Sequence, residues 1–444
     1  MLSCQQAESL FDLVLKYSTA DETEAMITST SYALTRFANN SIHQNMAEEG
    51  VSLSVRAVAD RRTARASTNK LDEHSIRQVC EAALVLARLQ PPDPEMLPTP
   101  PPQTYRAIDR WVPETAELTP QTRAQTVVKV TERAEKDHLT AAGVFSNSAY
   151  LFALFNSRGL RAYHEETMSD FSVTMMGPTS SGWAKKSTPH WLKLEPAALA
   201  DCAARKALGG HEPRDLKPGK YTVILEPAAV LDLLGFLMMD FGGLSVQEQR
   251  SCLTGRVGKA LFGENIDIRD DVFHPLQAGA PFDGEGMPRH RVSLVEQGVV
   301  KSLVYSRRTA QKLGVEPTGH GFPLPNEFGE MPLNIVVDGD RHTLDEIIGS
   351  TERGLLVTRL WYIREVDPYQ KLMTGMTRDG TFWVEDGEVK HGVKNLRFNQ
   401  SLIAMLNHVE MMSQPQRAAG EESFEMVVPA MKVRDFNFSS LTKF

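Results

Sequence analysis

Two acidic residues that flank a glycine are the first candidates for chemistry in this sequence. Asp283 and Glu285 stand on either side of Gly284 in the segment FDGEG. Two carboxylates at this spacing can act as a general acid and a general base. Acids beside a glycine are also typical of a tight turn, because Asp side chains bond to the nearby backbone. The sequence leaves both interpretations open.

Histidines are the next candidates, because neutral imidazole is a common metal ligand. The twelve histidines are dispersed, and no two of them lie three to five residues apart. His274, His290 and His320 could still gather into a metal site, but histidines without ligand spacing are typical of structural or surface positions. The sequence also lacks a zincin motif, a phosphate loop, a dinucleotide fingerprint and a nucleophile elbow. It therefore predicts no catalytic residue and no metal ligand.

A glycine-rich segment is the one candidate for substrate contact. Thr318, Gly319, His320 and Gly321 follow one another in PTGHG. Glycine lets another backbone approach closely, so these four residues are predicted to line a peptide-binding cleft. A plain loop is the alternative interpretation.

Composition limits the class of protein and its location. The chain of 444 residues carries a net charge of −8, and its basic residues are scattered, as at Lys185-Lys186. This charge argues against direct nucleic-acid binding, which usually shows a basic face. The four cysteines form no Cys-x-x-Cys pair, which is typical of reduced thiols. The N-terminus predicts no signal peptide, and no apolar run could span a membrane, so we expect a cytoplasmic protein.

The first half of the sequence predicts helices packed on antiparallel strands. Residues 51–57 alternate between apolar and polar side chains, which indicates a half-buried strand. Asp72 is a predicted N-cap, and the helix that follows has an apolar stripe that includes Cys80 as a small buried residue. The prolines of residues 91–102 predict an extended spacer or a surface strap, with a ligand for a proline-reading domain as the alternative. A meander over residues 141–176 and a helix near its end complete a predicted domain of residues 1–208.

The second half predicts a β-rich domain of residues 215–444 that contains one buried helix. The helix covers residues 227–241 and is apolar on nearly every side, which is typical of a buried helix. Short β-like runs follow as far as residue 392. We further expect a helix over residues 395–412 and a final strand over residues 424–433. The chain as a whole is predicted to be an α+β protein.

The order of several segments resembles the TldD/PmbA family, whose members were once labelled modulators of DNA gyrase. The N-terminal segment that carries the resemblance is GVSLSVRAVADRRTARASTNKLDEHSI, at residues 50–76. The C-terminal segments are SCLTGRVGKALF at 251–262, PFDGEGMPRHRVSLVEQGVVKSLVYSRRTAQKLG at 281–314, PTGHG at 317–321, PLNIVVDGD at 332–340 and VKNLRFNQSL at 393–402.

The resemblance implies a two-component zinc peptidase. In the family, a TldD-type subunit holds zinc through a His-Glu-x-x-x-His helix and a cysteine near the C-terminus. A TldE-type partner lacks these ligands and pairs with TldD to act on unfolded peptides. Here the corresponding helix, residues 234–240, has no histidine or glutamate, and residues 409–420 contain no cysteine. Leucine and methionine cannot replace imidazole on zinc.

We therefore expect a TldE-like subunit that is inactive alone, with zinc in a TldD-type partner and no cofactor in this chain. In isolation it would pair with that partner or with a second copy of itself. Two other classes of function stay open. One is a regulatory or binding protein, for example a modulator of DNA gyrase, and the other is a stand-alone hydrolase with a non-standard site.

Overall fold

The computed structural model describes residues 1–442, and its N-terminal half is built on one antiparallel sheet. The strands are β1 (Glu22–Ala38), β2 (Ser41–Ala59), β3 (Arg62–Thr68), β4 (Thr140–Asn156), β5 (Arg161–Met176) and β6 (Ser181–Thr188). They lie in the order β3-β2-β1-β4-β5-β6, which leaves β6 at one edge. The helices are α1 (Cys4–Tyr17), α2 (Glu73–Leu89), α3 (Pro113–Ala116), α4 (Pro120–Lys136) and α5 (Pro196–Gly209).

The alternation of side chains along the long strands gives this sheet two different faces. On β1 the buried residues Ala25 and Ile27 point to α1 and α2, while Phe37 on the same face packs with the residues of α4 and α5. The opposite face meets the C-terminal half, where Phe152 stacks on Phe282 with ring centroids 5.5 Å apart. The predicted N-cap is confirmed, because Asp72 accepts a hydrogen bond from the Ser75 N–H.

The proline-rich segment bonds to both halves of the molecule. The Thr99 N–H donates to Glu22 at 2.6 Å, and the Asn156 amide donates to the Pro100 carbonyl at 2.8 Å. From the C-terminal half, the Arg307 guanidinium donates to the Pro98 carbonyl at 2.8 Å. Since proline has no N–H, this segment cannot pair as a regular strand, and side chains hold it instead. The segment is therefore a strap fixed by side chains.

The C-terminal half contains two further sheets. Its strands are β7 (Gly219–Leu225), β8 (Ile268–Asp270), β9 (Val292–Glu296), β10 (Val299–Val300), β11 (Ile335–Val337), β12 (Arg353–Asp367), β13 (Leu372–Glu385), β14 (Glu388–Gly392), β15 (Leu396–Ser401), β16 (Val409–Met412), β17 (Gln416–Ala418), β18 (Met426–Val428) and β19 (Met431–Leu441). Its helices are α6 (Pro227–Met238), α7 (Gly243–Gln247), α8 (Arg307–Leu313), α9 (Leu344–Gly349) and α10 (Leu402–Asn407).

One C-terminal sheet has the order β10-β9-β8-β11-β18-β17, so β17 is an edge strand. In the other, β12-β7-β19-β15-β13 closes on itself through a second pairing of β12 with β13. Helix α6 packs in the core between these sheets, with Leu231 and Leu234 fully buried among strand side chains. The protein is thus α+β, with helices on an antiparallel N-terminal sheet and a β-rich C-terminal half around a buried helix. The domain limits of 1–208 and 215–444 remain predictions.

The expected helix over residues 395–412 is wrong. This stretch forms β15, the six-residue α10 and β16. In β15 the buried residues Leu396 and Phe398 alternate with exposed Arg397 and Asn399, so its period is two. The final strand is also longer than expected and is divided into β18 and β19. Within residues 1–442, no helix has the length and apolar character needed to cross a membrane.

Candidate functional site

The centre of α6 is apolar and closed to solvent. Ten of its twelve residues are buried, and Leu234, Leu237 and Met238 are 0% exposed. Gly235 presses on the loop after β17, because a Cβ there would lie 2.0 Å from the Ser423 hydroxyl. Residues 234–238 therefore pack the core and present no metal-binding side chain.

One carboxylate on this helix has a structural partner. Asp232 is fully buried and accepts backbone N–H groups from Glu421, Glu422 and Ser423, at 3.4, 3.0 and 3.1 Å. Burial raises the pKa of Asp232 to about 6, against the opposing effect of these hydrogen bonds. The residue fixes the loop after β17 to α6, which explains how an acid is tolerated in an apolar helix.

A second buried acid follows the helix. Asp240 lies 2.6 Å from the Lys371 ammonium and accepts the Cys252 N–H at 2.7 Å. Burial raises the pKa of Asp240 above its usual value, although Lys371 opposes the shift. Burial and the Asp240 charge together raise the pKa of the Cys252 thiol. Since the thiolate is the reactive form, Cys252 is a poor nucleophile and a poor metal ligand in this setting.

Within residues 1–442, no three His, Cys, Asp or Glu side chains are grouped so that they could hold a metal ion. The three histidines considered as ligands do not form one group. The His320 side chain is buried beside Asp270, whereas His274 and His290 lie in loops.

The two glycine-containing segments singled out in the sequence are brought together. The Asp283 carboxylate accepts the Gly321 N–H at 2.7 Å and the Glu285 and Met287 N–H groups at 2.9 Å. Asp283 thus holds the FDGEG turn closed and ties it to PTGHG. This geometry supports the turn interpretation of the two acids.

The four predicted cleft residues lie inside this network. The His320 side chain is 0% exposed, with Nε2 3.0 Å from Asp270 and Nδ1 3.0 Å from the Thr318 hydroxyl. Gly319 has φ +74° and Gly321 is packed against Glu285, so both glycines serve close backbone contacts. Burial opposes ionisation of Asp270, yet His320 holds its pKa below the usual value. That these residues line a peptide cleft stays a prediction.

Glu285 is a second buried acid in the network. Its carboxylate accepts the Arg307 N–H at 2.8 Å and is 3% exposed. Burial and the neighbouring Asp283 charge raise the pKa of Glu285 to about 8. Burial also raises the pKa of Asp283. Glu285 therefore keeps its proton to a higher pH than an exposed carboxyl, and it borders a cavity of about 600 Å3 that Ser306 and Thr309 also line.

A larger cavity, of about 820 Å3, lies between β6, α5, the start of α6 and β17. Its charged side chains are six cations and two carboxylates: Arg110, Lys185, Lys186, Lys193, Lys206, Arg417, Asp109 and Glu226. We call it the cationic cavity. Sequence reasoning missed it because the lysines and arginines come from five separate segments. The pair Lys185-Lys186, which follows Trp183 after one residue, is the one local sequence signal for this cavity.

Comparisons with known proteins agree with this architecture. Sequence models of PmbA/TldA metallopeptidase domain 1, central domain and C-terminal domain match residues 23–87, 114–210 and 218–440. A metalloprotease PmbA of Escherichia coli O157:H7 is 24% identical over 410 residues, which cover 86% of this chain and 85% of that protein.

Two solved structures share the fold. TldE from Thermococcus kodakarensis has a TM-score of 0.88 at 23% identity, and the match covers 98% of this chain and 100% of that one. A Thermotoga maritima protein described as a candidate modulator of a DNA gyrase has a TM-score of 0.86 at 21% identity, with 98% and 99% covered. Since the domain models together span most of the sequence, this chain belongs to the TldD/PmbA family of metallopeptidase-related proteins.

Proposed function

We propose that this chain is a TldE-type subunit that holds no zinc and works in the cytoplasm beside a TldD-like metallopeptidase subunit on unfolded peptides. The observation that carries the proposal is the centre of α6. The resemblance assigns the zinc-binding helix of catalytic members to this region, and here it contains Leu234, Leu237 and Met238 at 0% exposure.

The surroundings of α6 support an architectural role for this helix. Asp232 binds three backbone N–H groups of one loop, and Asp240 is paired with Lys371. Each carboxylate is therefore committed to a structural partner. A general base needs a free oxygen within hydrogen-bond reach of a reacting group, and neither acid offers this in an open space. In the complex, zinc in the partner would supply the activated water.

Purification with and without a TldD-like relative from the same genome tests the proposal. We expect the chain alone to contain no stoichiometric zinc and to leave an unfolded casein substrate intact. Co-expression should give a dimer of the two chains by light scattering, with about one zinc per dimer and metal-dependent cleavage.

Three results would contradict the proposal. One is about one zinc per chain in the isolated protein, retained against a weak chelator. Another is cleavage by the isolated chain after contaminating proteases are removed. The third is capture of a topoisomerase, and of no TldD-like chain, from native cells, which would favour the gyrase-modulator alternative.

A further inference from the structure

The cationic cavity differs in charge from the molecule that surrounds it. The whole chain has a net charge of −8, whereas the cavity lining has six cations and two carboxylates. Like charges that gather in a concave site repel one another and destabilise the fold, unless a ligand of opposite charge compensates them. A cationic lining in an acidic protein therefore indicates a binding function.

Internal partners neutralise only part of this charge. Lys206 is paired with Glu226 at 2.7 Å, and Lys186 is paired with the exposed Glu195 at 2.8 Å. Lys185 bonds mainly to the Gly420 carbonyl, at 2.6 Å, with Glu421 at 3.4 Å. A bond to a carbonyl satisfies a donor but does not cancel the positive charge.

The two arginines show the same pattern. Arg110 donates to the carbonyls of Val272 and His274, and Arg417 donates to the Leu276 carbonyl. Their Nε groups are buried and have no hydrogen-bond partner in the described residues. Carboxylates of Glu166, Asp170 and Glu425 influence Arg417 from a distance, but none forms an ion pair with it within 4.0 Å. Within residues 1–442, both guanidinium groups therefore add positive charge beside the cavity that no directly paired carboxylate cancels.

The backbone adds positive potential at the same place. Helix α6 begins at the cavity wall, and its N-cap residue Glu226 makes no side-chain cap. The Glu226 carboxylate instead accepts hydrogen bonds from Lys206 and Thr358. The positive end of the α6 dipole therefore lies at the cavity wall, where the Glu226 carboxylate is paired with Lys206 and leaves the first N–H groups of the helix without a side-chain cap.

Size and walls favour a peptide ligand. The volume of about 820 Å3 lies in the range of small-molecule and peptide side-chain sites. Trp111, Trp183 and Leu199 add apolar surface to the charged lining. Aromatic and aliphatic walls with a few charged groups suit amino-acid side chains better than a polyphosphate chain.

We propose that the cationic cavity binds the carboxylate groups of acidic peptide segments, so that this subunit selects acidic stretches of the unfolded substrate. The inference rests on the proposed function, since it names the class of peptide that the complex would take. Two sources of carboxylate fit the chemistry, namely Asp or Glu side chains and a free peptide C-terminus.

Fluorescence anisotropy with the isolated full-length chain tests this directly. The probe is a labelled peptide of alternating Glu and Ala with an amidated C-terminus, and its control replaces each Glu with Gln. We expect the Glu peptide to bind at least about tenfold more tightly, with the difference shrinking in about 1 M salt, where charges are screened beyond ~3 Å. A third peptide, of Gln and Ala with a free C-terminus, reports the contribution of the terminal carboxylate.

Matched variants locate the binding. Lys186→Gln with Lys193→Gln removes two cations from the cavity wall, and should weaken binding of the Glu peptide about fivefold to tenfold. The control is Lys129→Gln with Lys136→Gln, which removes the same charge from exposed positions on α4 and should leave binding unchanged.

Three outcomes would overturn the inference. They are equal affinity for the Glu and Gln peptides, equal loss in both double variants, and tighter binding of a single-stranded oligothymidine than of the Glu peptide. Because the assay needs no partner subunit, these outcomes are distinct from failure of the proposed function. If the chain paired with a zinc-bearing relative but bound the Glu and Gln peptides equally well, this inference alone would be disproved.

Discussion

The two ends of α6 lie in opposite environments. At its start, Glu226, Pro227 and Ala228 line the cationic cavity. Two turns later, Leu234 and Leu237 are 0% exposed and pack against the strands of both C-terminal sheets. One helix therefore borders an open, charged space and also fills the centre of an apolar core.

This difference separates the part of α6 that packs the core from the part that can contact a ligand. At the closed end, Asp232 accepts backbone N–H groups and Asp240 is paired with Lys371, so both carboxylates have structural partners. The open end retains cations whose charge is only partly neutralised. The comparison predicts that substitutions at the closed end change stability, whereas substitutions of Lys186 and Lys193 at the open end change binding.

The largest effect should come from metal-binding side chains placed at the closed end. Leu234→His with Leu237→Glu buries an imidazole and a carboxylate without partners, which costs on the order of several kcal/mol. We expect the melting temperature to fall by about 10 °C or more, and zinc uptake to remain absent because the third ligand is missing. Differential scanning fluorimetry and elemental analysis measure the two results.

The control at the same position is Leu237→Met, which conserves volume and polarity. It should cost less than about 1.5 kcal/mol. If the His/Glu variant melted like the parent and took up zinc, the closed end would be a recently disarmed peptidase centre. The contrast between the two ends of α6 would then fail.

The sequence predicts the closed end better than the open end, for a physical reason. Burial of Leu234 and Leu237 follows from the local run of apolar residues, which a helix must hide from water. The cationic cavity depends on Arg110, Lys206 and Arg417, which are far apart in sequence and meet only when α5, β17 and the segment before α3 are packed together. No local sequence pattern predicts that these side chains come together.

The same limit applies to the smaller elements. The error at residues 395–412 arose because apolar residues of β15, α10 and β16 together imitate a helical period across two strand–helix boundaries. The alternation in β15 covers only six residues, which is too short to outweigh that period. Similarly, the contact of Asp283 with Gly321 joins segments 38 residues apart, and only the folded chain shows it.

A pH-dependent effect of intermediate size is expected at Glu285, whose side chain is buried. Its pKa is raised from 4.5 to about 8, so the folded state holds a proton that the unfolded state releases. The stability from this group is full below about pH 4.5 and is lost as the pH rises through about 8. Glu285→Gln cannot ionise, and should melt a few degrees above the parent at pH 9 and level with it at pH 5.

The control for this pH effect is Glu248→Gln, which removes an exposed carboxylate. It should shift the melting temperature by less than about 1 °C at either pH, since exposed pairs contribute little. If Glu285→Gln and the parent kept the same difference from pH 5 to pH 9, Glu285 would be ionised in the folded protein. Burial would then not raise the pKa of Glu285 in the folded protein.

The smallest effects should occur at the open end and should depend on depth in the cationic cavity. Lys206 is 14% exposed and bonds to Glu226, which is 15% exposed and has Thr358 as its other partner. Lys206→Gln should cost about 1–3 kcal/mol, because it leaves a largely buried carboxylate with one hydrogen bond. Lys186→Gln with Lys193→Gln should stay within about 0.5 kcal/mol, since Lys193 is exposed and Lys186 pairs with a carboxylate that is 66% exposed. Urea unfolding measures both.

A loss of stability in the double variant as large as that in Lys206→Gln would mean that the outer lysines hold the fold together. The open end of α6 would then be as structural as the closed one, and the charge of the cavity would need no ligand to explain it.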